Sequence, residues 1–331
     1  MPGKLIVDEI EDSGGSSVIG RKNAIINGNF DIWQRGTSFT ANGYHADRWN
    51  TTVSGTGTTT ISQQAFTIGQ TDVPGEPKYY LRIAKSSGVS GASGADVLSQ
   101  RIEGVRTFAG QTATLSFYAK ASEATTIDFF LKQDFGTGGS PSADVDKTPT
   151  GVSVTTSWQK FTVTQAFDSI SGKTIGSNND DYFEVILRID NGSNASVDFA
   201  QIQMETGSAA TTFEKRPIGE ELSLCQRYFY KTFPQGTTPA QNVSPGRTIT
   251  LNYTGAASAA NSQNFAQTMR VAPTMTFYNP YAANALFREW NSANDRTYST
   301  VEIQEDMLRT INFNGINITG GHQNYTADAE L

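Results

Sequence analysis

Alternation of apolar and polar residues with a period of two, broken by glycine and proline turns, constrains this chain most. In TATLSFYAK, Ala113, Leu115, Phe117 and Ala119 fall on one side of an extended segment, with Thr112, Thr114, Ser116, Tyr118 and Lys120 on the other. IDFFLKQ repeats the pattern: Ile127, Phe129 and Leu131 point inward, leaving Asp128, Phe130 and Lys132 outward. Tyr182 to Ile189 buries Phe183, Val185, Leu187 and Ile189 and exposes Glu184, Ile186 and Arg188. Tyr79, Leu81 and Ile83 alternate with Tyr80, Arg82 and Ala84, and Trp158 to Val163 and Val197 to Met204 supply further strands. Polar stretches such as Ser86 to Gly94 and Gly136 to Gly151 have too little apolar surface to offset the entropy of ordering and read as loops. Several strands at turn-punctuated spacing, without helical periodicity, predict an all-β antiparallel sandwich.

The densest stretch is AIINGNFDIWQRGTSFTANGYHADRW, Ala24 to Trp49, which holds two of the four tryptophans. Asn27-Gly28-Asn29 offers a turn with a positive-φ position, and Asp31, Arg35, Asp47 and Arg48 can pair as carboxylates and guanidiniums beside Trp33 and Trp49. The string IINGNFDIWQRGTSF…ADRW, together with TFEKRPIGEELSLCQRYFYKT, resembles the tail-fibre and receptor-binding proteins of tailed bacteriophages and prophages. Between these strings the chain is similar to the jelly-roll carbohydrate-binding modules of such fibres. YTADAEL at the end is similar to the ends of other phage adhesins. The resemblance implies a homotrimer, a virion location after synthesis in the host cytoplasm, other virion proteins as partners of the N-terminus, and a bacterial surface polysaccharide as ligand. It also implies that Asp198, with oxygens from Asn27 or Asn29, holds a structural calcium. Calcium takes about six to eight oxygens, and a plain hydrogen bond from Asp198 is the other reading.

Composition narrows the chemistry. A formal net charge of −7, with no local basic patch, opposes docking on nucleic acid or an anionic bilayer. The single cysteine, Cys225, excludes an intrachain disulfide. No apolar run near the N-terminus is long enough for a membrane span, so membrane insertion is not expected. No zinc-ligand spacing, GxSxG elbow or P-loop is present, and the two histidines, His45 and His322, stand far apart. Paired carboxylates remain the open catalytic route; Asp180-Asp181 sits in an Asn/Asp loop and reads as a solvated turn. The expectation is a protein without enzymatic activity, and no cofactor is called for.

The resulting organisation is an attachment strand and linker at 1–22, with Lys4 to Ile10 as a strand or a frayed end. A jelly-roll domain follows at 23–217, then a connecting helix at 218–232 and a smaller C-terminal β tip domain at 233–331. Glu220 and Glu221 open the helix, Arg227 and Lys231 close it, and Ile218, Leu222, Cys225 and Phe229 form a heptad-like stripe. That stripe packs on its own domain or lines a threefold axis. In the last third, RTITLNYTG, TMTFYNP, YSTVEIQ and RTINFNGINIT are strand candidates.

Sugars bind by stacking C–H faces on aromatic rings while amides, carboxylates and cations take the hydroxyls. Tyr118, Phe130, Lys132, Glu184 and Arg188 offer one such face, and Trp33, Tyr44, Trp49 and Tyr80 a second. Large aromatics are mostly core residues, so Trp33 and Trp49 read as core or ligand contacts. Tyr118 and Phe130 read as ligand contacts or subunit interface. The functional expectation is a phage adhesin recognising a surface glycan, with a purely structural virion component (baseplate, collar or head fibre) and a glycan depolymerase as alternatives.

Overall fold

A computed structural model describes residues 22–54, 58–85, 96–189, 194–244, 263–289, 293–298, 300–312 and 320–331. The segments expected at Lys4 to Ile10, Ser86 to Gly94 and RTITLNYTG lie outside the described residues. The sandwich contains β1 (Ser38–Phe39), β2 (Gly43–Tyr44), β3 (Asn50–Thr52), β4 (Thr59–Ala65), β5 (Tyr79–Lys85), β6 (Asp96–Glu103) and β7 (Thr112–Ala121). It continues with β8 (Thr125–Asp134), β9 (Val145–Asp146), β10 (Thr150–Val154), β11 (Gln159–Ala166), β12 (Tyr182–Ile189) and β13 (Val197–Thr206).

One sheet runs β1-β4-β5-β13-β7-β11; the other runs β10-β8-β12-β6-β3-β2, with β9 beside β8. From β5 onward the chain passes back and forth between the sheets, which is the jelly-roll path, and every pairing is antiparallel. The expected inward sets are the observed core: Leu81, Ile83, Ala113, Leu115, Phe117 and Ala119 face Ile127, Phe129, Leu131, Phe183, Val185, Leu187 and Ile189, all fully buried. Each large apolar side chain removed from water contributes about 1.5–3 kcal/mol. Ile186, expected outside, is 8% exposed because Ser99 and Phe130 flank it on the neighbouring strands of this central position.

Strand β13 carries a bulge between Ala200 and Gln203, where Gln201 takes φ 48°. The extra residue switches the inward set from Val197 and Phe199 to Ile202 and Met204. The Asn27 turn packs directly on this bulge: Ile202 N donates to Gly28 O at 2.9 Å, and a Cβ on Gly28 would stand 2.0 Å from Ile202 O. Asn27 takes the positive φ of 57°, so Gly28 is needed for the close approach.

The helix α1 (Ile218–Gln226) is shorter than expected. Phe229 and Lys231 belong to β14 (Phe229–Lys231), whose pairing with a later strand ends the helix at Gln226. The heptad stripe is therefore interrupted: Ile218 is 60% exposed and Cys225 is fully buried, where burial pushes its thiol well up, as suits an inert apolar residue. The remaining strands are β15 (Gln263–Asn264), β16 (Thr274–Tyr278), β17 (Phe287–Glu289), β18 (Asp295–Arg296), β19 (Thr300–Ile303), β20 (Met307–Asn312), β21 (Gly321–His322) and β22 (Asn324–Asp328). They form three small sheets, one of which places β22 between β14 and β16.

The three strings that carry the phage resemblance meet in space. Arg48, 1% exposed, stacks its guanidinium 3.3 Å from the Tyr228 ring centre and bonds to Glu330 and the Arg101 carbonyl. Arg35 lies 3.7 Å over Phe229 and reaches Asp328 at 3.0 Å, Glu330 at 3.3 Å and Asp47 at 4.0 Å. Lys231 donates to the carbonyls of Gln34, Gln235 and Thr237 at 2.8, 3.0 and 2.8 Å. The guanidiniums thus stack on Tyr228 and Phe229 from the second string and not on the tryptophans, while the acids of the third string neutralise them. These residues fasten the C-terminal sheets to the sandwich.

Candidate functional site

The outer face of the first sheet builds its site from two adjacent rows of side chains. Cross-strand register places Ser62, Arg82, Asp198 and Lys120 in one row, and Gln64 beside Tyr80, with Ala200, Tyr118 and Lys160, in the next. Because strands lie about 4.8 Å apart, Tyr80 on β5 and Tyr118 on β7 stand roughly two strand spacings apart, and the small Ala200 of β13 floors the gap between them. Trp158, just before β11, and Phe66, just after β4, complete an aromatic cluster. Ring centres are 4.8 Å apart for Phe66–Tyr80, 5.3 Å for Phe66–Trp158 and 5.4 Å for Tyr80–Trp158, the last pair edge to face. All three rings are half-buried.

Charge beneath the rings is locked. Arg82 donates Nε and Nη2 to the two Asp198 oxygens at 2.7 and 2.8 Å, and Nη2 also reaches the Tyr80 hydroxyl at 3.3 Å. Lys120 approaches Asp198 at 3.8 Å and lies 5.2 Å from the Trp158 ring centre. The Asp198 hydrogen bonds raise the Arg82 pKa further, and burial raises that of the Tyr80 phenol. Asp198 is 4% exposed and already faces two cations, so it does not fit a calcium site. The Asn27 Oδ1 is engaged elsewhere, accepting from the Ile32 amide at 3.0 Å, and the Asn29 side chain is turned to Asp31, to which its Nδ2 donates at 2.9 Å. Among the described residues no group of three or more His, Cys, Asp or Glu side chains could hold a metal ion.

The five residues expected to share one face are divided between two. Tyr118 lies on the outer face just described, whereas Phe130, Lys132, Glu184 and Arg188 lie on the outer face of the other sheet. Alternation assigns a side chain to the inside or the outside, but not to one of the two outsides. On this second face Lys132 binds Asp144 at 2.7 Å and Asp134 at 3.0 Å; burial opposes its charge, and these two bonds still raise its pKa. Glu184 accepts from Ser99 at 2.9 Å and Arg101 at 3.4 Å, and Arg188 pairs with Asp128 beside Phe130.

The second expected patch is dispersed as well. Trp49 is fully buried, donating its indole N–H to the Asn27 carbonyl at 3.0 Å, and is a core residue. Trp33 is 7% exposed, but it borders a cavity of about 490 Å³ with Asp31, Lys78, Tyr79 and Leu222. Tyr44 donates to the Leu331 carbonyl at 2.8 Å, and only Tyr80 joins the aromatic cluster. Sequence reasoning missed Phe66, Arg82, Lys120 and Trp158. Tyr80–Arg82 and Tyr118–Lys120 carry a signal, each an aromatic and a cation two residues apart on one strand face. Asp180 and Asp181 brace separate loops, accepting from the Thr137 and Val105 amides at 2.7 and 2.8 Å.

No family model matches the chain, and no curated protein sequence matches it. Solved structures similar to it include a carbohydrate-binding module of the CBM4 type, at 17% identity over 54% of this chain and 97% of that one, with a TM-score of 0.30. The CBM22-1 xylan-binding domain of Paenibacillus barcinonensis Xyn10C is 13% identical over 57% of this chain and 96% of its own, with a TM-score of 0.33. The enzymatically active domain of tailspike protein 4 from bacteriophage CBA120 is 12% identical over 56% of this chain and 21% of its own, with a TM-score of 0.35.

Proposed function

We propose that this chain is a non-enzymatic bacteriophage tail-fibre adhesin that holds a bacterial surface glycan on the outer face of its first sheet. The observation that carries the reading is the Phe66–Tyr80–Trp158 cluster, three half-buried rings beside the Arg82–Asp198–Lys120 group. Rings supply stacking surface for the sugar C–H faces, and the fixed charges orient hydroxyls without reorganisation. The phage assignment rests on the three landmark strings. A trimeric virion protein, attached through its N-terminus, would multiply weak sites into avidity.

The test is binding of the purified full-length chain to surface polysaccharides from candidate bacteria, with reducing ends assayed in parallel. Binding without release of reducing ends is the expected outcome. Release of reducing ends would replace this reading with a depolymerase, and failure to bind any surface polysaccharide would replace it with a structural virion role.

A further inference from the structure

We infer that a small pocket at the Tyr118 end of this face receives an anionic sugar residue, its carboxylate or phosphate oxygens held by Lys160 and Lys215. The inference rests on the glycan-binding reading and names the class of sugar. The pocket measures about 210 Å³, below the roughly 300–1,000 Å³ of sites for drug-sized ligands, and so suits a single residue at the end or side of a chain. Tyr118 and Phe213 bring rings to its wall, and Lys160, Lys215, Gln201 and Asn29 bring polar atoms.

Its chemistry differs from that of the chain as a whole. The protein carries a net charge of −7, yet two lysines and no Asp or Glu are among the described residues lining this pocket. Lys160 spends one proton on the Thr211 carbonyl at 3.1 Å, leaving two for a ligand. Lys215 lies within electrostatic reach of Asp31 and lines both this pocket and the neighbouring 490 Å³ cavity, which that carboxylate borders. A neutral sugar offers the two ammonium groups no counter-charge, whereas an oxyanion takes charge-assisted bonds from each.

Two amide oxygens remain for hydroxyl groups. Gln201, set on the β13 bulge, uses its Nε2 on the Pro74 carbonyl at 2.7 Å, which leaves Oε1 as an acceptor. Asn29 is 8% exposed and donates Nδ2 to Asp31 at 2.9 Å, while its Oδ1 is buried without a hydrogen-bond partner. A buried acceptor left unpaired is costly, and a turn of the Asn29 side chain into the pocket would let a ligand hydroxyl satisfy it.

The experiment titrates the full-length chain with a trigalacturonide, its neutral methyl ester and a hexose 6-phosphate, using calorimetry. The expected result is at least tenfold tighter binding of the trigalacturonide than of its ester, with the sugar phosphate showing whether phosphate serves as well as carboxylate. The double variant Lys160→Met and Lys215→Met keeps both aliphatic stems and should lose that tenfold preference; Trp158→Ala should weaken both trisaccharides and keep it. Equal binding of acid and ester by the wild type, no binding of either, or a preference that survives in the double variant would overturn the inference. Failure of the broader reading is seen separately, as loss of surface-polysaccharide binding altogether.

Discussion

The two outer faces of the sandwich carry similar residue types and arrange them differently. On the second face every named cation has an acid beside it: Arg188 with Asp128, Lys132 with Asp134 and Asp144, Arg101 with Glu184. Part of that face is also closed, since Arg101 and Tyr44 both donate to the Leu331 carbonyl. On the first face two cations share Asp198, and the rings stack on one another with part of their surface free. The lesson is that an aromatic beside a charge is not by itself a sugar site; both faces hold paired charges, and what sets the first apart is a cluster of three rings with free surface beside them.

That contrast can be broken or sharpened by experiment. The largest effect is expected from Glu330→Gln, which leaves the buried Arg48 without its carboxylate. Removing one member of a buried pair typically costs about 3–5 kcal/mol, so the urea midpoint should fall by an amount worth about 3 kcal/mol, while glycan binding at the first face, measured well below that midpoint, stays unchanged.

A change in pH probes the seam where β1 and β2 meet. Burial lowers the His45 pKa from 6.5 to about 4, and the ring stacks on Phe39 at 4.5 Å. Between those values the unfolded chain binds the proton and the folded chain does not. The contribution of neutral His45 is therefore complete above about pH 6.5 and is lost as the pH falls toward 4. Asp47, which burial raises to about 6, works in the opposite direction over part of that range. The difference between wild type and His45→Phe isolates the histidine: the variant should lose about 2 kcal/mol less stability between pH 6.5 and 4, read by denaturant titration at each pH.

The smallest effects compare the faces directly. Trp158→Ala should weaken polysaccharide binding about tenfold, the equivalent of about 1.4 kcal/mol, whereas Phe130→Ala and Arg188→Ala should each change it less than twofold. Equal losses on both faces would erase the distinction drawn above.

Much of the sandwich was legible because alternation is local: Leu115, Phe117, Phe129 and Leu187 could be assigned inward from their own strands. Which outer residues share a face depends on strand order, and no local pattern says that Tyr118 and Phe130 lie on opposite sides. The helix was placed correctly at its start and extended too far at its end. Phe229 fits a helical spacing, but pairing of β14 with β22 outweighs that weak local preference. Of the candidate site, Tyr118 and Tyr80 were visible as aromatics on polar strand faces. Phe66 and Trp158 flank strands, and only the fold brings them together.

The joint around Arg48 has a consequence in time as well as in space. Arg48 and Glu330 are separated by 282 positions in the chain, and at synthesis rates of about 5–20 residues per second the guanidinium is made roughly 14 to 56 s before its carboxylate. Through that interval Arg48 has no Glu330 carboxylate to pair with, and Tyr228 and Phe229 are made only late in it. The joint closes after both modules have been translated, so its assembly is a late event in the life of the nascent chain.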